Sequence, residues 1–494
     1  MKKFWIVLIA LGLVAAFSMS ASAADVKFSG SYYIEGWYDN NHSLLNQSDT
    51  SATTGRGEMA LYHQRFRMNT DFKVAEGLML TTRFDAMERN WGDRRERNAT
   101  AIPGSSAGVS TAASVETASR SINATNTSTG NAGVTTVQEQ ANIEFERVFI
   151  TANLPFGVLI AGYAEDIKWG TDFLDTVTTR PQIKLIVPIG NFTLVAATKK
   201  DLEGTMYNGY GVQNTSDKDI YDLAGIFKWK SGEAGVLIEY LNNNATRTQA
   251  LSTYNPVAGT GTGYAQRIYG AFPYFKQTFG PVYLEAEGYL AGGQYMDFDQ
   301  ATNTIQSTLA TGGVSVHARV DLKPVYFGGR FIYMMGDDPT TPDKKEGSIA
   351  AGLVAGQAFL PCLMLFNDSF YTATGTGYTG RATQTYGGTI NTAALQFMDN
   401  VLFFQGYGGV KPIDKLDVML AVAFARADQT PTRGYVSDVY GTEVDLTATY
   451  KIYDNLSYMV GFGYLFTGDY FKGQTATAQL SNDYIVMHRL TLTF

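Results

Sequence analysis

The chain has 494 residues, of which 45% are hydrophobic and 13% aromatic, and its formal net charge is −8. A negative charge of this size argues against nucleic acid as a partner. The single cysteine excludes a disulfide framework, a cysteine-rich metal site and a c-type haem attachment motif, which needs two cysteines.

The N-terminus has the features of a secretory signal peptide. Lysines at the start precede an apolar stretch from Phe4 to Phe17, and a small-residue cleavage site ends at Ala23. An N-terminal membrane anchor is the alternative, but the apolar stretch is short and a strand pattern begins at Val26. We therefore predict that residues 1–23 are a signal peptide and that residues 24–494 form one domain. No later apolar run is long enough for a transmembrane helix.

Short turn signals divide the rest of the chain into pairs of strands. They lie at 74–77, 154–157, 188–191, 230–233, 278–281, 322–324, 412–415 and 453–455. Longer polar loops alternate with these turns along the whole chain. The sequence therefore predicts an all-β fold, a transmembrane antiparallel β-barrel of about 18 strands (range about 16–20), with short periplasmic turns and long extracellular loops.

Two of the long loops are unusual in composition. Asn98 to Val137 is rich in small polar residues and is predicted to bury no core. The loop from Asp337 to Gln396 instead carries an apolar run that ends at Phe366, and exposing such a run to water would be unfavourable. We predict that this loop folds into the barrel and narrows it. The predicted constriction residues are Phe359, Cys362 and Phe366. An external lid or a docking surface for a partner is the alternative.

Charged residues recur along the strands on the parity opposite to large apolar residues. An Arg or Lys facing lipid at mid-membrane costs roughly 2–4 kcal/mol, so these side chains are predicted to face a watery lumen. The predicted pore-lining residues are Arg65, Arg67, Arg83, Asp85, Glu285, Glu287, Arg319, Asp321, Arg330, Glu443 and Asp445. Arginines on one wall and carboxylates on the other would create a transverse field that selects solutes. The alternative is that each charge only solvates the lumen or pairs with a neighbour.

One residue does not fit this pattern. Arg147 shares its parity with Phe145 and Phe149, so the alternation alone would place it among lipid-facing side chains. The sequence provides no confident position for it.

Catalytic motifs are not recognisable. The chain has 4 histidines, and none belongs to a nucleophile motif such as Gly-x-Ser-x-Gly. Carboxylates are plentiful, but a hydrated lumen would contain them without any chemistry. We predict that the protein is not an enzyme, and no catalytic, cofactor or metal site is assigned.

The last strand shows the alternation most clearly. From Asp483 onwards Tyr484, Val486, Leu490, Leu492 and Phe494 share one parity and polar residues occupy the other. A terminal strand that ends in an aromatic residue is typical of a barrel that closes against its first strand. We predict that Phe494 is an assembly signal for the barrel-insertion machinery.

Two stretches resemble known families. The stretch GTEVDLTATYKIYDNLSYMVGFGYLFTGDYF, from Gly441 to Phe471, resembles outer-membrane channels of the alginate-export type. LYHQRFRMNTDFKVAEGLMLTTRFDAMERNWG, at 61–92, looks like the N-terminal hairpin of porins from metal-reducing bacteria. These resemblances imply an outer-membrane channel, and some relatives of the second group sheath multihaem cytochromes.

The leading hypothesis is a porin in the outer membrane of a Gram-negative bacterium, a water-filled channel for passive diffusion of small hydrophilic solutes or ions. Its expected partners are outer-membrane lipid, the insertion machinery and the solutes. The first alternative is a barrel that sheaths a multihaem cytochrome in an electron conduit, which needs a lumen free of inserted loops. The second is a selective exporter of an acidic polysaccharide. The sequence leaves the oligomeric state open.

Overall fold

The computed structural model describes residues 25–41, 44, 58–91, 96–97, 138–139, 143–166, 168–175, 178–203, 217–245, 264–298, 307–347, 359–367 and 398–494. The predicted signal peptide and the whole loop at 98–137 lie outside the described residues, so the predictions for both stay predictions. No helix in the described ranges is long and apolar enough to cross a membrane.

Eighteen long strands, numbered in chain order, make up the described part of the fold. They are β1 (Asp25–Asp39), β2 (Met59–Ala75), β3 (Leu78–Asn90), β4 (Ile143–Leu154), β5 (Gly157–Glu165), β6 (Thr179–Ile189), β7 (Phe192–Leu202), β8 (Lys218–Trp229), β9 (Gly232–Asn243), β10 (Tyr264–Phe279), β11 (Val282–Phe298), β12 (Ser307–Leu322), β13 (Val325–Met334), β14 (Val401–Ile413), β15 (Leu416–Arg426), β16 (Val439–Tyr453), β17 (Leu456–Thr467) and β18 (Asp483–Thr493). Short elements in the loops are the two-residue strands Glu96–Arg97, Gln138–Glu139 and Lys344–Lys345, and a 3-10 helix at Asp469–Lys472.

The sheet closes on itself. Each long strand pairs antiparallel with the next, and β1 also pairs antiparallel with β18, from Ser31 opposite Thr493 to Asp39 opposite Ile485. Each short turn lies at its predicted place, and longer connections alternate with these turns. The predicted fold, a closed antiparallel transmembrane β-barrel of 18 strands, is therefore confirmed.

The two faces of the sheet differ as a barrel in lipid requires. Large apolar side chains on the outer face are exposed in the isolated chain, among them Phe145 at 67% and Leu290 at 68%. Charged side chains of the opposite parity, such as Glu35 and Asp85, are buried on the inner face. Apolar residues outside and charged residues inside alternate along the strands, which is the arrangement of transmembrane barrels.

A β-bulge explains the position of Arg147. In the pairing of β3 with β4, Arg83 lies opposite Arg147 and Phe84 lies opposite Phe145, so Glu146 is an additional residue on β4. Such a residue reverses the alternation of side chains beyond it. Phe145 therefore faces outward, while the Arg147 guanidinium makes two hydrogen bonds with Glu165, at 2.9 and 2.8 Å.

Candidate permeation pathway

The predicted arginine wall lies on the inner face of β2 and β3, where its charges are paired. Arg67 donates two hydrogen bonds to Asp85, at 2.7 and 2.6 Å. Arg65 lies 3.6 Å from Glu88 and Arg83 lies 3.5 Å from Glu146. These arginines are brought together as expected, but carboxylates on the same wall offset much of their charge.

A second group of predicted residues lies on β11 and β12. The two ring nitrogens of His317 lie 2.9 Å from Glu285 and 2.7 Å from the Tyr407 hydroxyl. Arg319 pairs with Asp321 at 2.8 Å, and its guanidinium carbon lies 4.0 Å from the centre of the Tyr326 ring. Contacts from His317 to Tyr407, from Tyr407 to Tyr326 and from Tyr326 to Arg319 therefore run along this wall.

An inserted segment, residues 168–175, enters the barrel between β5 and β6. The Thr171 backbone N–H and hydroxyl both donate to Glu287 Oε2, at 3.0 and 2.6 Å. The Lys276 ammonium donates to the Gly170 carbonyl at 2.8 Å. Gly170 has a φ of +63°, and a Cβ atom there would collide with the Glu287 carboxylate. The inserted segment thus covers the predicted pore-lining residue Glu287. The Glu287 carboxylate accepts the hydrogen bonds that the polar groups of Thr171 donate.

Aromatic residues hold the inserted segment in place. The Trp169 indole N–H donates to the Phe272 carbonyl at 2.8 Å, and Phe173 is 1% exposed. The Trp169 backbone N–H donates to Asp175 at 2.8 Å, but burial raises the pKa of Asp175 to about 6. The sequence pattern indicates an ordinary loop here, although two large aromatic residues in a short polar connection are a signal of burial.

The apolar segment, residues 359–367, is the described part of the long loop predicted to enter the barrel. The backbone N–H groups of Met364 and Leu365 each donate to the Glu443 carboxylate at 2.7 Å. The Leu363 N–H donates to Asp445 at 3.3 Å, and the Gln405 amide donates to the Pro361 carbonyl at 2.5 Å. The segment is therefore attached through its backbone to β14 and β16.

This attachment changes the position of two predicted pore-lining residues. Glu443 is 0% exposed and Asp445 is 4% exposed, because the apolar segment covers both. We expected them to face open water and to form a carboxylate wall. Their carboxylates instead accept hydrogen bonds from loop N–H groups that would otherwise be buried without an acceptor.

The three predicted constriction residues have different environments. Phe366 is buried and lies edge-on to Phe403 and Tyr440, at 6.0 Å from each ring centre, so it anchors the segment to the wall. Cys362 is also buried, and burial together with the nearby carboxylates raises the pKa of its thiol well above the usual value. Phe359 lies under the guanidinium of Arg330, whose carbon is 5.1 Å from the ring centre.

The two segments meet inside the barrel. The rings of Phe173 and Phe359 are 5.6 Å apart and nearly perpendicular, at 84°. The inserted segment is held by β10 and β11, whereas the apolar segment is held by strands from β13 to β16. The anchors lie on separate parts of the closed sheet, and the two rings make contact between them.

A further charged cluster on β6 to β8 was missed in the sequence analysis. Lys199 pairs with Asp222 at 2.5 Å and also with Asp166, which in turn pairs with Arg180. Lys184 lies on the same face, and its ammonium donates to the Glu165 carbonyl at 3.2 Å. The alternation of Arg180, Gln182 and Lys184 along β6 was the available signal. The inner face thus carries mixed charge on several walls.

Comparisons with known proteins identify no family for this chain. No protein-family model matches it, and neither does any curated protein. Solved structures with similar folds include Pseudomonas aeruginosa OccK8 (OprE), at 12% identity and a TM-score of 0.48, covering 95% of this chain and 98% of that one. Pseudomonas aeruginosa OccK9 (OpdG) is 12% identical with a TM-score of 0.46, covering 95% and 99%.

A third similar structure is Pseudomonas aeruginosa OccK2 (OpdF) in complex with glucuronate, at 11% identity and a TM-score of 0.46, covering 95% of this chain and 97% of that one. None of these three descriptions mentions an alginate-export channel or a porin of a metal-reducing bacterium. The two resemblances inferred from the sequence therefore stay predictions.

Proposed function

We propose that this protein is an outer-membrane porin, a passive channel for small hydrophilic solutes or ions that two inserted segments narrow. The observation that carries this proposal is the closed barrel of 18 strands with an apolar outer face and a charged inner face. A barrel of this strand number leaves an aqueous channel unless a plug fills it. The proposal includes location in the Gram-negative outer membrane and assigns the barrel no catalytic role.

Size is expected to limit passage more strongly than charge. The narrowing involves Phe173, Phe359 and Arg330, whereas the arginines on β2 and β3 lie close to carboxylates. Where positive and negative groups alternate on a wall, a passing solute can form hydrogen bonds and stay hydrated. The net electric field across the lumen remains small on such a wall. We therefore expect weak ion selectivity and a steep dependence of permeation on solute size.

The two alternatives find less support. A barrel that sheaths a cytochrome needs the space into which the inserted and apolar segments extend. A channel for an acidic polysaccharide would be favoured by a positive lumen, but Asp85, Glu285 and Asp222 lie among the basic residues here. Nothing in the described ranges favours either role over simple permeation.

The test is reconstitution of the purified full-length barrel. In planar bilayers we expect stable ohmic conductance steps, and in liposome swelling we expect rates that fall as uncharged sugars become larger. The Glu76→Gln variant, changed in an exposed turn, serves as the matched control for preparation. Absence of conductance and of swelling from folded, heat-modifiable protein would exclude a porin. Electron transfer across liposomes only after a multihaem cytochrome is added would instead favour the conduit.

A further inference from the structure

We infer that Cys362, Glu443 and Asp445 form a binding site for a single divalent metal ion of the Zn²⁺ type, which attaches the apolar segment to β16. This inference rests on the local geometry and does not depend on what passes through the channel. Each residue offers one potential ligand atom: the thiol sulfur of Cys362 and one carboxylate oxygen of Glu443 and of Asp445. These three atoms all lie within 4.8 Å of one another.

The separation of these atoms is close to that of a metal site. Zn²⁺ bonds of about 2.0–2.3 Å in a tetrahedral arrangement place neighbouring ligand atoms about 3.5 Å apart. The three atoms would therefore have to move together by about 1 Å on binding. A water molecule would complete the coordination.

The charge of the cluster points to a cation. Both carboxylates are almost completely buried, and neither forms an ion pair in the part of the chain that the structure describes. The positive charge that acts on Cys362 is the Arg330 guanidinium, which lies over Phe359. Burying two neighbouring carboxylates without a positive partner is costly, and proteins avoid this by pairing, protonation or metal binding. Glu443 accepts two backbone N–H groups and Asp445 accepts one, from Leu363, while the other Asp445 oxygen, Oδ1, receives no N–H donor. The two carboxyl groups lie close enough for a hydrogen bond between them once one is protonated.

A glycine on the neighbouring strand accommodates the Asp445 carboxylate. Gly463 lies opposite Asp445 in the pairing of β16 with β17, and a Cβ atom on it would lie 2.7 Å from Asp445 Oδ1. A side chain at residue 463 would therefore collide with this oxygen. The backbone N–H groups of Met364 and Leu365 fix the orientation of Glu443, as outer hydrogen bonds do for metal ligands.

The donor set indicates the class of metal. One thiolate and two carboxylates suit Zn²⁺, or Cd²⁺ and Co²⁺ as its substitutes, whereas Ca²⁺ and Mg²⁺ prefer ligands that are all oxygen. Binding would join residues 362 and 445 through metal bonds, in addition to the hydrogen bonds that already hold the segment. The expected consequence is a more rigid constriction.

A competing explanation is a proton shared between the two carboxyl groups, which would also lower their charge. Spectroscopy of the purified full-length barrel in detergent distinguishes the two. After treatment with a chelator, Co²⁺ is added, and a thiolate-to-metal charge-transfer band is expected because Cys362 is the only cysteine in the chain. Elemental analysis should show about one Co²⁺ or Zn²⁺ per barrel.

The variants provide the controls. Cys362→Ser should abolish the charge-transfer band, and Asp445→Asn should weaken Zn²⁺ binding at least tenfold. Glu76→Gln should bind as the unmodified protein does, and heat modifiability checks that each barrel is folded. Zn²⁺ should also slow labelling of Cys362 by a small thiol reagent at least tenfold. A folded wild-type barrel without the band, or equal Zn²⁺ binding by Cys362→Ser, would overturn the site and leave the shared proton as the explanation.

Discussion

At the scale of single residues, the lumen of this barrel is dominated by charges that neutralise one another. Arg67 and Asp85 form a bidentate pair, and the Asp85 side chain is only 3% exposed. A buried pair of this kind contributes little net stability, but removal of one partner leaves the other charge without compensation. The transverse field expected from the sequence is therefore weaker than the number of arginines suggests.

This pairing predicts the effect of Arg67→Ser. The variant should shift the reversal potential toward cation selectivity, because Asp85 loses its bidentate partner and keeps only Arg65, at 4.0 Å. It should destabilise the barrel by up to about 3 kcal/mol, since this remaining partner compensates part of the charge. Urea unfolding and reversal potentials measure the two effects. The double variant Arg67→Ser with Asp85→Ser should recover most of both losses. Equal stability of the single and double variants would show that the pair does not act as a unit.

The Cys362 thiol reports on the attachment of the apolar segment. Burial and a raised pKa should make its labelling by thiol reagents slow, and a bulky reagent should label it least. In Glu443→Gln, an amide NH₂ replaces one of the two carboxylate oxygens that accept a backbone N–H from the apolar segment. The segment loses that hydrogen bond and should detach more often, so labelling of Cys362 should become at least tenfold faster. The time course of labelling in intact cells measures this, with Glu76→Gln as the control. Rates that are fast in the unmodified protein would place the segment outside the lumen.

At the scale of elements, we propose that the inserted and apolar segments set the width of the lumen. Each buried large apolar side chain of the apolar segment contributes roughly 1.5–3 kcal/mol before the cost of ordering is subtracted. The segment also forms hydrogen bonds with residues of β14 and β16. Its fixed position thus has both an apolar and a polar cause.

Replacing residues 359–366 with a Gly/Ser stretch of the same length should therefore raise single-channel conductance. The new stretch has no aromatic ring to meet Phe173 and no apolar surface to bury, so it should leave the wall. Conductance in planar bilayers measures the change. A Gly/Ser replacement of residues 431–434, in the loop between β15 and β16, controls for loop flexibility. Unchanged conductance in a folded barrel would show that the apolar segment lies away from the narrowest point.

The inserted segment should respond to pH. An unburied aspartate has a pKa of about 3.9, and burial raises the pKa of Asp175 to about 6, with Asp172 and Glu165 adding to the rise and Lys168 opposing it. Because the pKa is higher in the docked segment, protonated Asp175 stabilises docking. This stabilisation is complete below about pH 3.9 and is lost as the pH rises through 6.

Current fluctuations should consequently be smaller at acidic pH than at pH 7.5. The Asp175→Asn variant retains an acceptor for the Trp169 N–H and carries no charge, so it should lose most of this pH dependence. Noise analysis of single-channel records from about pH 4 to 8 provides the measurement. An identical pH profile in both proteins would assign the effect to other groups.

The elements themselves could be predicted from local patterns. Turn residues such as Gly77, Gly190 and Gly280 have positive φ angles, which the sequence signals directly. The parity rule also held along most of each strand, but it failed at β-bulges such as the one at Glu146, which one sequence does not reveal. The burial of Glu443 beneath residues 363–365 could not be predicted, because it depends on a contact between positions about 80 residues apart. The entry of Trp169 into the barrel depends in the same way on β10.

At the scale of the whole molecule, closure of the barrel depends on the seam between β1 and β18. The Gly30 N–H donates to the Phe494 carbonyl at 2.8 Å, and the Phe494 N–H donates to the Gly30 carbonyl at 3.1 Å. The Phe494 ring stacks on Phe66 of β2 at 6.1 Å. The last residue therefore reaches past the first strand to the second one on the outer face.

Deletion of Phe494 should consequently reduce the amount of folded, heat-modifiable barrel in the outer membrane by several-fold and leave the conductance of the folded fraction unchanged. The seam loses two backbone hydrogen bonds and an aromatic contact, while the inner face keeps its side chains. Gly30→Leu should reduce folding further, because a Cβ atom on Gly30 would lie 2.2 Å from the Arg67 carbonyl oxygen of β2 as well as 2.8 Å from the Phe494 ring. Phe494→Tyr retains the ring and should assemble normally. Normal amounts of folded protein after the deletion would mean that closure depends on the remaining pairs from Ser31 to Asp39 alone.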